Sequence, residues 1–432
     1  MTWRNWAGNQ RTDPVRRVVA RDVEDVSAAV TAAAREGLRV KATGSGHSFT
    51  GIGVPDGVAL AAPEDPRLLR VDGDAVTVPG GMTIRTLNTL LWDRGLALPN
   101  LGDIDAQTIA GAVATGTHGT GASHQGIAAR IRALQLVTAD GSVLTCGPAE
   151  HPEVFHHARV GLGALGVVTA VTLAAVPAFA LHARETAMPL AEVLEGFDDL
   201  AAAHDHVEFY WFPHTDVAAT KINDVVPDDR SGPSRSRVAG WVGDELMGNG
   251  AFELVCRLGS AAPALVPTLN RVMAGQMANA EYVDRSYRVF TSPRRVRFLE
   301  MEYAVPRAAL PEALDGLRSA AAHARDVTFP VEVRVAGADD IPLSTASGRD
   351  SAYLAVHVYR GRPHEAYFAA VESVMTALDG RPHWGKLHTR TAAQLASSYP
   401  EFDAFLALRD HLDPEGRFGN AHLDRILGRA AR

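Results

Sequence analysis

Cysteine is the scarcest chemistry-bearing residue here: 432 residues contain only Cys146 and Cys256, far apart in sequence. That excludes a disulfide-stapled scaffold and fits a reducing compartment, so a cytoplasmic location is the expectation. No stretch approaches the roughly 18 uninterrupted apolar residues of a membrane helix. The most apolar run, 165–176, is broken by threonines and ends at Pro177, as buried strands do. The N-terminus opens on Trp3, Arg4, Asn5 and Trp6 with no charged-then-apolar leader. Charge of one sign is nowhere concentrated. The formal net charge is −8, and the densest basic run, Arg294-Arg295-Val296-Arg297, reads as surface or strand edge. Neither a nucleic-acid partner nor a membrane partner is therefore expected.

Several familiar site patterns are also missing. His151, His156 and His157, and His204 with His206, have no fourth partner at ligand spacing, so no metal site is expected. Ser48 lacks the G-x-S-x-G frame of a nucleophile elbow. A Rossmann loop would show G-x-G-x-x-G and open directly into a helix. Gly44-Ser45-Gly46 instead runs on through Thr50, Gly51 and Gly53 to Pro55 without helical spacing.

What is present is a glycine-rich turn with a histidine inside it, Lys41-Ala42-Thr43-Gly44-Ser45-Gly46-His47-Ser48-Phe49. It follows a helix over 22–36, apolar at Val23, Val26, Ala29, Val30 and Ala33, and a short strand over 38–42. Alternate glycines let successive N–H groups point into one concavity, which suits a pyrophosphate; an ordinary turn is the alternative. A second small-residue run spans 107–121 and carries Thr108, Gly111, Thr115, Gly116, Thr117, His118 and Thr120. A tight helix contact accounts for its alanines but not for its hydroxyls, which fit a backbone packed against a flat ring and a diphosphate.

The length favours two or three domains, and 46% apolar with 21% charged residues is ordinary for a soluble enzyme. Strands are predicted over 15–20, 75–78, 131–138 and 167–176, with a second helix over 82–92 and a hairpin turning at Asp72-Gly73. This gives an α+β half with two sub-sheets over 1–177. Beyond it, over 178–380, come longer alternations at 206–212, 296–303, 331–335 and 352–359, helices over 308–325 and 364–378, and a polar loop over 224–237. That pattern suits an α+β cap domain with a mixed sheet roofing a ligand. The remainder, 381–432, with Trp384, Phe402, Phe405 and Leu408, is expected to pack back on the first half. Glu332 and Arg334 leave the same strand face; an ion pair on a solvated face is the bland reading of that pair.

These residues resemble a known family. The motifs Gly44-Ser45-Gly46-His47-Ser48-Phe49, Ala114-Thr115-Gly116-Thr117-His118-Gly119, Gly163-Ala164-Leu165-Gly166-Val167-Val168-Thr169, Glu300-Met301-Glu302-Tyr303, Glu332-Val333-Arg334 and His383-Trp384-Gly385-Lys386 occur here in the order of the aldonolactone and alditol oxidoreductases. That group, which includes L-gulono-1,4-lactone and D-arabinono-1,4-lactone oxidases, belongs to the vanillyl-alcohol-oxidase (PCMH-type) flavoprotein superfamily. The resemblance runs from Trp3 to Leu427. It implies a two-subdomain FAD-binding domain plus a cap, with FAD linked covalently to His47. It implies contacts to the cofactor from Ala42, Thr43, Gly44, Ser45, Gly46, Ser48, Gly102, Asp103, Thr108, Gly111, Thr115, Gly116, Thr117, His118 and Val168.

The same resemblance implies a chemistry. Glu332 would accept hydrogen bonds from substrate hydroxyls, Arg334 would neutralise charge on the reduced flavin, and Lys386 would assist loss of the hydroxyl proton. Tyr359 stands where alditol oxidases have a threonine and would shorten the pocket; Asp103 stands where they have a serine and would contact substrate or flavin. Glycine at 102 would leave flavin C4a open to O₂. The expected reaction is hydride transfer from a secondary alcohol of an aldono-1,4-lactone to flavin N5, with O₂ or another acceptor reoxidising the flavin. An alditol oxidase acting on C1 of xylitol or sorbitol is the rival within enzymes, and a flavin-binding protein without turnover the rival outside them.

Overall fold

The computed structural model describes residues 2–67, 70–226, 250–276, 280–292, 294–324 and 326–430. Its first half carries the two sub-sheets. Strands Arg16–Val19, Val58–Ala61 and Val40–Ala42 form a parallel three-stranded sheet with Val58–Ala61 in the middle. Parallel neighbours need a crossover, and the helix Val23–Arg35 lies between the two outer strands in sequence. Asp22 caps it by accepting from the Asp25 amide, and Val26, Ala29, Val30 and Ala33 pack on Val40, Val58 and Leu60. The second sheet is five-stranded and antiparallel, in the order Val143–Cys146, Ile131–Val137, Val167–Ala174, Ala75–Pro79, Arg70–Asp72. The hairpin sits one residue later than expected: Asp72 pairs with Ala75, so Gly73 (φ 59°) and Asp74 make the turn.

Between Ala180 and Pro382 the chain builds one eight-stranded sheet. Its order is Ala280–Arg285, Ala180–Pro189, Val217–Val226, His206–Trp211, Val331–Ala336, Ser351–Tyr359, Phe298–Pro306, Arg381–Pro382. The α+β class is as expected, with one correction: every described pairing in this sheet is antiparallel, so it is not mixed. The expected loop over 224–237 also changes, because strand continues to Val226; its remainder, 227–237, lies outside the described residues.

Alternation along these strands positions the site. Val207, Phe209 and Trp211, then Met301, Tyr303 and Val305, then Val331, Val333 and Val335 all join one apolar cluster under the helices Leu190–Ala203, Leu310–His323 and Glu365–Ala377. Each such side chain fully buried is worth about 1.5–3 kcal/mol. With period 2, Glu208 and Tyr210, Glu300 and Glu302, and Glu332 and Arg334 must then leave the opposite face. These polar residues are themselves largely buried, because that face is turned toward the first half.

The last segment returns to the first half. Phe402, Phe405 and Leu408 join the core of the five-stranded sheet. The Val40 amide donates to the Arg417 carbonyl at 2.8 Å. Asn420 Nδ2 donates to the carbonyls of Gly51 and Val54, both at 2.9 Å. Cys146 and Cys256 are buried and unpaired.

Candidate active site

Two connected cavities lie along the junction. A narrow groove of about 130 Å³ is lined by Ala42, Thr43, Gly44, Ser45, Gly46, His47, Ser48, Thr108, Gly111, Thr115 and Val168, with Lys41, Gly80, Gly81 and Gly163 beside them. A larger cavity of about 550 Å³ takes in His47, Ser48, Gly102, Asp103, Thr115, Thr117 and His118 from the first half, and Glu332, Arg334 and Lys386 from the second. His47, Ser48, Gln107 and Thr115 line both, so the two spaces meet there. Of the residues expected from sequence, Gly116 and Tyr359 line neither. Gly116 (φ +75°) turns the chain out of the helix Ile109–Ala114. Tyr359 lies at the end of its strand, where its hydroxyl donates to Glu253 Oε1 at 2.7 Å. The residues of that strand lining the cavity are Ala355 and His357, so Tyr359 does not shorten it.

The groove has the chemistry of an anion cradle. Among the described residues, no protein acceptor takes a hydrogen bond from the backbone amides of 44 to 48, whereas Thr43 N–H on one side bonds Leu60 and Phe49 N–H on the other bonds Gly385. A run of amides left free in a concavity suits phosphate oxygens. Gly46 (φ +72°) allows the turn, and its carbonyl accepts from Trp6 N–H at 2.7 Å. The His47 ring stacks on Trp6 at 5.5 Å. Its Nδ1 is buried without a partner, and burial, helped by the Lys386 charge, pushes its pKa down to about 4. The ring is therefore neutral and carries a free lone pair. These features fit a flavin dinucleotide.

Two charge clusters line the larger cavity. In the first, Arg334 Nε lies 2.7 Å from Glu208 Oε2 and 2.5 Å from Glu332 Oε1, while its Nη2 donates to Asp103. Arg294 pairs with the other oxygen of Asp103, and Lys221 stands 3.6 Å from Glu208. The register brings them together: Phe209 faces Val333, so Glu208 lies across from Arg334, and Glu208 pairs with Lys221 directly. Glu332 and Arg334 are only 9% and 8% exposed, so the solvated-face reading of this pair fails. Burial, together with the charges of Asp103 and Glu208, pushes Glu332 up to about 8 against the opposing pull of Arg334. Asp103, also opposed by burial, is held below its ordinary value by Arg334 and Arg294.

The second cluster surrounds Lys386. Its Nζ lies 2.5 Å from Glu300 Oε2 and 3.8 Å from Glu302 Oε2. His357, paired with Glu300 across the sheet, sets its Nε2 3.4 Å from Glu300 Oε1. His118 Nε2 meets Glu302 Oε1 at 2.7 Å and its Nδ1 meets the Gly119 carbonyl at 2.9 Å, with the ring stacked on Tyr353. His383 accepts from the Gly385 amide through Nδ1 at 3.1 Å, and burial pushes it down to about 4. Burial would lower the pKa of Lys386, but Glu300 and Glu302 outweigh it and hold the ammonium above its ordinary value. Lys386 is thus a donor here and not a base. In both clusters protein cations stand among the converging carboxylates: Arg334, Arg294 and Lys221 in the first, Lys386 in the second.

Gly102 has a packing explanation. A Cβ there would sit 2.9 Å from the His118 carbonyl and 3.2 Å from Thr117 Cγ2, so the glycine permits a close backbone contact whatever its bearing on oxygen. The sequence reading also missed contributors. Arg294 is exposed, as expected, but its pairing with Asp103 was not foreseen. Glu300 and Glu302 repeat the same-face spacing of Glu332 and Arg334, a signal available in the sequence. His383 belongs to the motif that holds Lys386, whereas Glu208, Lys221 and His357 carried no signal until register was known.

The fold and groove define a FAD-dependent oxidoreductase of the vanillyl-alcohol-oxidase (PCMH) type. An FAD binding domain profile matches residues 14–147, and the profile of the D-arabinono-1,4-lactone oxidase family matches residues 171–426. The chain is 43% identical to an L-gulono-1,4-lactone dehydrogenase of Mycobacterium tuberculosis over 99% of both chains, and 36% identical to the L-gulonolactone oxidase of Bos taurus over 98% of both. Among solved structures, cholesterol oxidase from B. sterolicum superposes with a TM-score of 0.83 at 19% identity, covering 99% of this chain and 96% of that one, a likeness of fold. The chain belongs to the D-arabinono-1,4-lactone oxidase family. No described helix is long and apolar enough to cross a membrane.

Proposed function

We propose that this protein oxidises a secondary alcohol of an aldono-1,4-lactone of the gulono, galactono or arabinono type, with O₂ or another acceptor taking the electrons onward. The observation carrying this reading is a polyhydroxyl-sized cavity of paired carboxylates and cations that opens on the cofactor groove at His47. In this reading residues 1–177 hold FAD, 178–380 form the cap and 381–432 close on the first half. When bound, FAD supplies the two-electron acceptor for the departing hydride.

The chain's own residues handle the proton and the charge. Lys386 donates a hydrogen bond to the reacting hydroxyl and lowers the cost of negative charge on its oxygen. Glu332, with a pKa near 8, takes the proton. With Glu332 ionised, Asp103, Glu208 and Glu332 balance Arg294, Arg334 and Lys221. Once Glu332 is protonated, one positive charge is in surplus as electrons arrive nearby, and Arg334 is the cation released. Asp103 spends both oxygens on guanidinium groups and acts mainly as their anchor.

We further propose that FAD is covalently attached through His47, supported by its neutral ring and unpartnered Nδ1. The function is tested by anaerobic mixing of the holoprotein with lactones and with xylitol or sorbitol while flavin absorbance is followed. Bleaching by lactones over alditols is expected; preference for alditols would replace the reading, and bleaching by neither would leave a flavin carrier. Reoxidation by O₂ and by an artificial dye then identifies the class of acceptor.

A further inference from the structure

The strand Phe298–Pro306 presents two carboxylates to one ammonium, and they are not equivalent. Glu302 lies farther from Lys386 and spends its other oxygen on His118. Glu300 is the close partner, and its second oxygen faces His357, whose Nδ1 is turned to the Pro330 carbonyl at 3.3 Å. The carboxylate therefore has one oxygen facing His357 of the neighbouring strand and directs the other to Nζ. We propose that Glu300 is a positioning residue that keeps the Lys386 side chain charged and fixed at the cavity wall during turnover; this rests on the role given to Lys386 above.

Every element packed around Nζ contributes. Glu300 and Glu302 come from one strand, His357 from its neighbour and Glu332 from the next. His118 reaches in from the first half, as does His47, whose pKa the ammonium lowers, and His383 precedes Lys386 in its own loop. The Phe49 ring, with Nζ 5.3 Å from its centroid, covers another side. The carboxylates that chiefly hold the proton on this ammonium are Glu300, Glu302 and the more distant Glu332. Burial on all sides opposes the charge, so its retention depends on the nearest carboxylate. Burial also holds Glu300 up, but Lys386 and His357 overrule it and bring its carboxyl down to about 2, leaving it ionised at any working pH.

The test is the alkaline limb of the anaerobic flavin-reduction rate with lactone. In Glu300→Gln the limb should move to lower pH by about one unit or more, because burial of Lys386 is then opposed only by weaker partners. Lys386→Arg in the same background should abolish the new limb, since a guanidinium does not deprotonate there, and Glu300→Asp should restore the wild-type position. Glu302→Gln should move the limb less, and it carries the test if Glu300→Gln does not fold. A limb unmoved in both glutamine variants, or one that persists with arginine at 386, overturns the proposal. Lys386→Met separates the two levels: wild-type reduction there sinks the role of Lys386 itself, whereas an unmoved limb alone sinks only the positioning by Glu300.

Discussion

Removal of Arg334 should change not only the rate but the way stability depends on pH. In Arg334→Ala, Asp103 keeps Arg294 and Glu208 keeps Lys221 at 3.6 Å, but Glu332 loses the one cation with which it pairs among the described residues. A buried carboxylate left without its partner costs about 3–5 kcal/mol while it stays ionised. A carboxyl can escape that cost by taking a proton. Glu332 already has a folded-state pKa of about 8, and loss of the guanidinium raises it further. A carboxyl whose folded pKa lies above its unfolded value lends stability below the unfolded pKa and withdraws it as pH rises through the folded one. The melting-temperature deficit of Arg334→Ala should therefore be largest near about pH 9 and shrink toward about pH 6. Anaerobic reduction should slow by roughly 10²–10³, the usual loss when a transition-state charge partner is removed. Thermal melts of the holoprotein across pH and stopped-flow reduction on the same samples give both readings. A deficit constant with pH would deny that Glu332 is the stranded group, and near-normal reduction would remove Arg334 from the mechanism.

Acid-precipitated, washed wild-type protein should stay yellow while His47→Ala releases its flavin to the supernatant; a colourless wild-type pellet defeats the covalent link and leaves FAD binding intact. Gly102→Ala should lower the melting temperature and slow reduction as well as reoxidation, because its Cβ meets the His118 carbonyl at 2.9 Å; slowing of the O₂ step alone would restore an oxygen gate. Tyr359→Phe should leave KM for lactones and alditols unchanged, since that hydroxyl serves Glu253, and a shifted preference would return Tyr359 to the pocket. The reduction rate should rise with pH through about 8 as Glu332 ionises, a dependence that Glu332→Gln should erase along with most of the rate.

The sequence exposes local signals and hides register. The capped helix after Asp22, the hairpin near Gly73 and the glycine loop holding His47 depend on neighbouring residues, so they can be read directly. The period-2 pattern likewise tells that Glu332 and Arg334 share a face. It does not tell which strands lie side by side, so Glu208 and His357 are invisible as partners until the order of the eight strands is known. Tyr359 shows the other limit. It has the same parity as Ala355 and His357, but at about 3.3 Å per residue it lies roughly 6–7 Å beyond His357, past the cavity and against Glu253. Arg294 shows a further limit: it is exposed, as a member of a basic run usually is, yet it also pairs with Asp103 from the other half of the chain, which spacing alone does not reveal.

The two clusters divide the chemistry because they differ in which partner is under-compensated. Around Lys386, an ammonium faces two nearby carboxylates, so its proton is held firmly and only its hydrogen bond is on offer. Around Arg334, three largely buried carboxylates compete for cations, and Glu332 is the one forced toward neutrality, so it is the group able to take a proton near neutral pH. Hydride loss and proton loss from one carbinol need both properties, a fixed donor and a movable proton site. The same-face spacing recurs on two strands with opposite electrostatic outcomes because Glu300 and Glu302 share a strand with no cation between them, whereas Glu332 precedes Arg334 on its own strand and must share it with Asp103 and Glu208.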